Sequence, residues 1–278
     1  MTYSFSRISS FHNCPSGWFL NYELGKEQEP NGYSSHGLFL HDLMEQHAKG
    51  KITAKEALTL FDDNWLDVEP DFPPFHINLK ENFYKRIRPY FDRDNILEGT
   101  TISVEEKYTH ELPSGNLITG LMDRVFKSDK KGKVIGDYKI STPYTKKQIM
   151  NKRRQLDLYA WLFHKETGEY PDYMSWSYFK DYTKTKYIPF DKQEMESTIQ
   201  WIEDTISEIQ GRLTATKRLC VKGLFVPNYM ERTDEKTGER DYFCRELCGY
   251  KNIGCPFIDG NHLKIFKTKE LQDIEIKK

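Results

Sequence analysis

Two short stretches hold the residue types that could do chemistry on a phosphate: Gly120-Leu-Met-Asp123 and Asp137-Tyr138-Lys139. In a β-strand successive side chains alternate faces, so Asp137 and Lys139 point one way and Tyr138 the other. Val134, Ile135 and Ile140 around them supply the β-branched context of a half-buried strand. A carboxylate and an ammonium side by side on a sheet face, with Asp123 one strand over, can hold a divalent cation and a water next to it. That is the equipment for metal-assisted attack on a phosphodiester. The plainer reading is an Asp–Lys pair at a solvated sheet edge, because Asp-x-Lys by itself is common.

The elements that must position these residues can be read from pattern. Strands are expected over about 101–111, 117–127 and 133–140. The turn chemistry of Pro113-Ser-Gly-Asn116 and Ser128-Asp-Lys-Lys-Gly132 joins them as an antiparallel meander. A helix follows from Lys146 to about Tyr159, with Gln155 and Tyr159 four apart on one face. Two aromatic-rich strands, 173–180 and 186–190, precede a long helix capped at Asp191. Its stripe of Met195, Ile199, Ile202, Ile206, Ile209 and Leu213 steps by four and three, as core packing does. Upstream, a short helix with Ile8 and Phe11 should stop at Cys14-Pro15. Residues 32–37 read as a loop. A helix begins at Gly37 and carries His41 and Glu45 on one face; a histidine so placed is ordinarily a satisfied core or surface residue. Thr53-Ala-Lys-Glu56 is a capping box opening a helix to about Val68, and another helix runs from about 75 to 91. Together these describe a mixed α/β sheet with helices packed on it.

Composition narrows the partners. The 278 residues carry a formal net charge of -1, so there is no global basic field and nucleic-acid contact must be local. One basic run qualifies: Lys139, Lys146, Lys147, Lys152, Arg153 and Arg154, with no acid between them. It reads either as a phosphate track or as a solvated helix face. No stretch approaches the ~18 apolar residues of a membrane span, and the N-terminus lacks a secretory pattern. The reading is a cytoplasmic protein (host cytoplasm if phage-encoded) with no membrane partner. Five cysteines, odd in number and unevenly spaced, do not make a disulfide framework. Gly-rich phosphate loops, Ser-His-Asp or Cys-His spacings and helicase motifs are absent from the sequence.

Taken in order, Gly37-x-x-x-His41, Gly120-x-x-Asp123, Asp137-Tyr-Lys139 and Gln155-x-x-x-Tyr159 resemble the RecB-type branch of the PD-(D/E)XK nucleases. That branch includes the nuclease domains of bacterial recombination helicase–nucleases and the CRISPR-associated Cas4 proteins. The resemblance implies a restriction-endonuclease-like core, a central mixed sheet flanked by helices, with a helical insertion and a Cys-rich C-terminal cap. It divides one nuclease domain, 1–278, into N-terminal helices (1–41), the insertion (42–98), the catalytic sheet (99–190) and the long helix with its tail (191–278). It implies that Asp123 and Asp137 ligate Mg²⁺ or Mn²⁺, with the Tyr138 carbonyl and the His41 imidazole completing the shell. Lys139 would orient or deprotonate the attacking water, helped by a pKa lowered through burial and the cation. Asp137 and Lys139 would then have separate tasks and not form a salt bridge. Gln155 and Tyr159 would position the DNA strand or the lysine.

The same resemblance implies a [4Fe–4S] cluster on Cys14, Cys244, Cys248 and Cys255. The tail here is C-x3-C then C-x6-C, each gap one residue longer than the common family pattern, and zinc or buried thiols are the alternatives. Cys220 reads as a small hydrophobe. The function implied is a metal-dependent DNA nuclease in repair or recombination, an exonuclease on single strands or DNA ends, with a helicase or recombination partner supplied separately. The rival readings are a non-cleaving DNA-binding subunit and an RNA-directed nuclease.

Overall fold

In a computed structural model, which describes residues 1–72, 78–219, 225 and 248–250, β1 (Thr2–Ser4) is followed by α1 (Phe5–Asn13), α2 (Pro15–Tyr22), α3 (Gly32–Ala48), α4 (Ala54–Asn64) and α5 (Leu79–Phe91). Next come β2 (Thr100–Glu111), β3 (Leu117–Ser128), β4 (Gly132–Lys139), α6 (Lys146–Thr167), β5 (Tyr173–Tyr178), β6 (Lys186–Pro189) and α7 (Lys192–Leu219). The chain forms two compact units, a division the sequence does not mark: Met1–Phe5 with Asn31–Trp201, and Ser6–Pro30 with Ile202–Lys278.

The first unit is built on one mixed sheet, ordered β1-β3-β4-β5-β6 with β2 along the other edge of β3. β2, β3 and β4 are the expected antiparallel meander. The crossover through α6 then makes β5 parallel to β4, and β6 turns back antiparallel to β5. β1 has no counterpart in the sequence reading. Three residues are too few to show alternation, and the strand exists only because it pairs in parallel with Leu117–Thr119. α6 runs eight residues past the expected Tyr159, ending where Gly168 takes the left-handed φ of 77° that closes a helix.

Helix starts are where the sequence reading needs correction. Residues 32–37 are not a loop: Asn31 and Ser34 exchange the side-chain and backbone bonds of a capping box, so α3 begins at Gly32, five residues early. Pro15 does end α1, but it also opens α2 as a first-turn proline behind the Cys14 cap. α4 stops at Asn64 and tightens into a 3₁₀ turn, Trp65–Asp67. α5 begins at Leu79, and residues 75–77 of the expected helix lie outside the described residues.

The helices of the insertion share a core with the sheet. Leu40, Leu43 and Met44 of α3, Phe61 of α4, and Ile87 and Phe91 of α5 are buried in one cluster with Trp65, Tyr138 and Phe179. Tyr138 therefore faces this apolar layer, as strand alternation requires of the residue between Asp137 and Lys139. α6 lies against the sheet closely enough that β3 needs a glycine there. A Cβ on Gly120 would stand 2.6 Å from Leu162 and 3.1 Å from the Tyr159 ring. The glycine of Gly120-x-x-Asp123 is thus a close-approach residue.

In the second unit, Phe225 stacks on Trp18 and Phe19 with ring centroids 5.6 and 4.8 Å away. Glu29 N donates to Gly249 O at 3.3 Å. α7 spans both units, and its stripe of Met195, Ile199, Ile202, Ile206 and Ile209 is buried as expected. Cys220, Cys244 and Cys255 lie outside the described residues.

Candidate active site

Asp137 and Lys139 sit at the end of β4, past its pairing with β3 but still paired with β5. The β3–β4 register that pairs Arg124 with Gly136 brings Asp123 beside Asp137. α3 delivers His41 to the same point. His41 Nε2 donates to the Tyr138 carbonyl at 3.0 Å, and Nδ1 lies 3.4 Å from Asp123 Oδ2. That same Asp123 oxygen accepts the Tyr138 N–H at 2.8 Å. On the other side, Lys139 Nζ donates to Gln155 Oε1 at 3.2 Å, and Gln155 Nε2 donates to the Tyr159 hydroxyl at 2.9 Å. The seven residues expected at the metal and the water form two bonded groups, His41, Asp123 and Tyr138 in one and Asp137, Lys139, Gln155 and Tyr159 in the other, joined along the β4 backbone.

Two expectations change. Asp137 and Lys139 are an ion pair here, with Nζ 2.8 Å from Oδ1, to which it donates, and 2.6 Å from Oδ2. The pair also reverses the expected pKa of Lys139. Burial pulls it down, but the Asp137 carboxylate, its hydrogen bond and more distant Tyr144 and Asp123 together outweigh that, so the ammonium form is held above its ordinary range. Asp137 is 2% exposed, and burial raises its pKa against the opposing pull of Lys139, with Asp123 pushing the same way as burial. For His41, burial lowers the pKa but the hydrogen bond and charge of Asp123 and the charge of Asp137 raise it further, for a net upward shift.

One member of the site was not read from the sequence. Glu105 of β2 has a ligand oxygen that lies, with atoms of His41 and Asp123, in a group all within 4.8 Å of one another. The register that pairs Val104 with Arg124 and Glu106 with Met122 sets Glu105 opposite Asp123. Its backbone is left-handed, φ 51°, which a non-glycine residue adopts at a cost. Burial first, and then the Asp123 charge, push its pKa up to about 7. The only signal in the sequence is Val104-Glu105-Glu106, two acids in a strand, and nothing local tells which faces Asp123.

The basic run is divided by the fold. Lys146, Lys147 and Lys152 are exposed on α6. Arg153, however, is committed to Asp157, and Arg154 lies over the Trp201 ring with Cζ 4.2 Å from its centroid. Neither guanidinium points into a phosphate track.

Three or more oxygen and nitrogen donors at this spacing fit a divalent cation. Asp137, buried and paired with Lys139, adds a further negative charge beside them. The raised acids give a pH prediction. A group whose folded pKa lies above its unfolded value contributes stability that is complete below the unfolded pKa and is lost as pH rises through the folded one. With Glu105 near 7 and Asp137 raised in the same direction, the protein in EDTA should lose melting temperature between about pH 5 and 8. Glu105→Gln should flatten that slope, and Mn²⁺ should restore the loss at pH 8. Differential scanning fluorimetry across pH measures all three, and a slope unchanged in Glu105→Gln would contradict the assignment.

In the second unit Cys14 caps α2, its Sγ accepting the Gly17 N–H at 3.3 Å. The Tyr250 ring lies against Gly17, 3.4 Å from where a Cβ would be. Burial raises the Tyr250 hydroxyl to about 12, with the Cys248 and Cys14 thiols adding to the rise, so both cysteines neighbour that ring.

Comparison with known proteins bears on the family and the fold. Residues 2–256 match the profile of the PD-(D/E)XK nuclease superfamily. Among solved structures, a protein from Eubacterium rectale described as a "Putative exonuclease" is similar over 95% of this chain and 88% of its own, with 14% identity and a TM-score of 0.50. At that identity the likeness concerns the fold. The protein SSO0001 aligns over 72% of this chain and 85% of its own at 15% identity, with a TM-score of 0.28, too low to argue from. Curated proteins give no match to the sequence. The match covers well over half of the chain, and the mixed sheet flanked by helices is consistent with it: the chain belongs to the PD-(D/E)XK nuclease superfamily.

Proposed function

We propose that the protein is a metal-dependent DNA nuclease of the RecB-type, Cas4-like branch, acting on single strands or DNA ends as an exonuclease in repair or recombination. The observation that carries this reading is the placing of two bonded groups, His41 with Asp123 and Asp137 with Lys139, Gln155 and Tyr159, at the same end of β4. A retired site has no reason to keep a buried, costly carboxylate–ammonium pair beside two further acids. Bound Mg²⁺ or Mn²⁺ would supply Lewis-acid polarisation of the phosphate and a more acidic water.

The chain's own residues account for the rest. Asp123, Asp137, His41 and Glu105, with the Tyr138 carbonyl, are the donors that would hold the cation. Lys139, kept as an ammonium by Asp137 and aimed by Gln155, is suited to steady the water and to offset charge gathering on phosphate oxygens. Its raised pKa favours that electrostatic role over proton abstraction. Tyr159, anchored by Gln155, fixes the far side of the groove. Lys146, Lys147 and Lys152 are the remaining candidates for backbone phosphate contact.

We further propose a structural [4Fe–4S] cluster on Cys14, Cys244, Cys248 and Cys255, in a cytoplasmic protein. Its support is that Cys14 and Cys248 neighbour one ring, and that a helix-capping sulfur receiving an N–H is suited to the thiolate form. Incubating labelled single-stranded DNA, duplex DNA and RNA with the protein and Mn²⁺ tests the nuclease. Release of short products from DNA, lost in Lys139→Ala, is the expected result. Inert wild type on every substrate would leave a DNA-binding subunit, and preferential RNA cleavage would move the assignment to RNA. Iron and sulfide content after anaerobic purification, compared with Cys248→Ser, tests the cluster separately; stoichiometric zinc in its place would overturn it.

A further inference from the structure

On the sheet face opposite Asp137 and Lys139 there is a second cleft, of about 60 Å³, lined by Tyr90, Arg93, Arg124, Tyr138, Ser177 and Tyr187 among others. Gly136 and Tyr138 flank Asp137 in β4, and alternation sends them to this side. Arg124 directly follows Asp123 and is 3% exposed. Its Nε donates to Thr101 Oγ1 at 3.0 Å and its Nη2 to the Gly99 carbonyl at 3.3 Å, while its Cζ lies 4.5 Å from the Phe126 centroid. Arg93 donates to the carbonyls of Tyr90 and Ile96 at 2.8 and 3.4 Å and stacks on the Tyr90 ring. Every one of these partners is neutral.

Among the described residues, the arginines within 4.0 Å of a carboxylate oxygen are Arg7, Arg88, Arg153 and Arg212. Arg93 and Arg124 therefore bring two guanidinium charges to one cleft without a counter-charge in contact. A buried charge left so is costly, and neutral carbonyls offset only part of the cost. Glu98 is the carboxylate at the rim, but its oxygens accept the hydroxyls of Ser128 and Tyr187. The Tyr90 hydroxyl, raised by burial to about 12, remains a donor at neutral pH. A water needs only about 10–15 Å³ of such space, so the cleft has room for a small polar ion.

We propose that this cleft binds a free tetrahedral oxyanion of the size of phosphate, seated between Arg93 and Arg124. Guanidinium forks and hydroxyl donors are the groups that recognise such ions. Occupancy would tie the segment carrying Arg93 to the backs of β3 and β4, the strands that carry Asp123 and Asp137. The cleft lies on the sheet face opposite Asp137 and Lys139 and shares only Tyr138 with that site, through the ring and not the backbone, so it stands or falls independently of the nuclease reading.

The test is isothermal titration of the full chain in EDTA with sodium phosphate, against sodium chloride at matched ionic strength. Wild type and Asp137→Asn should bind one phosphate equally well. Arg93→Met, at a half-buried position that leaves Arg124 in place, should weaken binding by about tenfold, the loss of one charge-assisted contact. Ser177→Val, whose hydroxyl lines the cleft, serves as a second variant should Arg93→Met melt early. A Lys146→Ser, Lys147→Ser double variant on exposed α6 should bind as wild type does. Absence of saturable binding, binding unchanged in both cleft variants, or binding lost in Asp137→Asn or in the lysine variant would each overturn the proposal.

Discussion

Replacing Lys139 with alanine should leave Mn²⁺ bound and slow DNA cleavage by about 10²–10⁴-fold, the usual worth of a positioned acid–base or charge-stabilising group. Asp137→Asn should abolish both. The contrast follows from the geometry. Lys139 touches Asp137 and Gln155 but is not a cation donor, whereas Asp137 is a buried carboxylate near enough to Asp123 and His41 for their charges to act on it. Calorimetric titration with Mn²⁺ beside an oligonucleotide assay separates the two effects. Removing Lys139 also removes the charge that opposes the raised pKa of Asp137, so the variant's metal affinity should fall more steeply below pH 7 than that of wild type. Equal metal binding at pH 8 with cleavage retained in Lys139→Ala would sink the assignment of its role.

The largest effect on stability is expected at Asp157. Its carboxylate is 0% exposed and receives Arg153 Nε at 3.0 Å, Arg153 Nη2 at 3.1 Å and Thr198 Oγ1 at 3.2 Å, joining α6 to α7. Asp157→Ala leaves a mostly buried guanidinium unpaired, and breaking such a pair from one side costs about 3–5 kcal/mol. Thr198→Val, which removes a single hydroxyl bond, should cost about 1 kcal/mol. Urea unfolding followed by circular dichroism measures both. If Asp157→Ala costs no more than Thr198→Val, the Arg153 side chain has swung to solvent and the pair is of little structural importance. The result bears on function as well, because Gln155 and Tyr159 ride on the same helix, between and beyond the two paired residues.

Arg153 also marks the boundary between what a sequence reveals and what it conceals. In the sequence it belongs to an unbroken basic run, and the nearest acid, Asp157, is just past its end. An i,i+4 spacing makes the pair possible, but burial makes it obligatory, and burial of that face depends on α7, more than thirty residues away. Arg154 is spent in the same way on Trp201. Counting charge along the chain therefore overstated the phosphate track, and three exposed lysines are what remains of it.

Periodicity determined the parts of this protein that are local. Alternation put Asp137 and Lys139 on one strand face and Tyr138 on the other, the i,i+4 step put Gln155 and Tyr159 on one helix face, and turn chemistry laid out the meander. These held because the geometry of a strand or a helix fixes neighbours within a few residues. The motif order, through the resemblance it carries, already set His41 beside the Tyr138 carbonyl; tertiary structure alone decided that Glu105 would face Asp123, that Lys139 would stay charged against Asp137, and that Thr2–Ser4 would become a strand. Each depends on the register or burial of segments distant in sequence, and no local pattern encodes which residues will meet once those segments have packed.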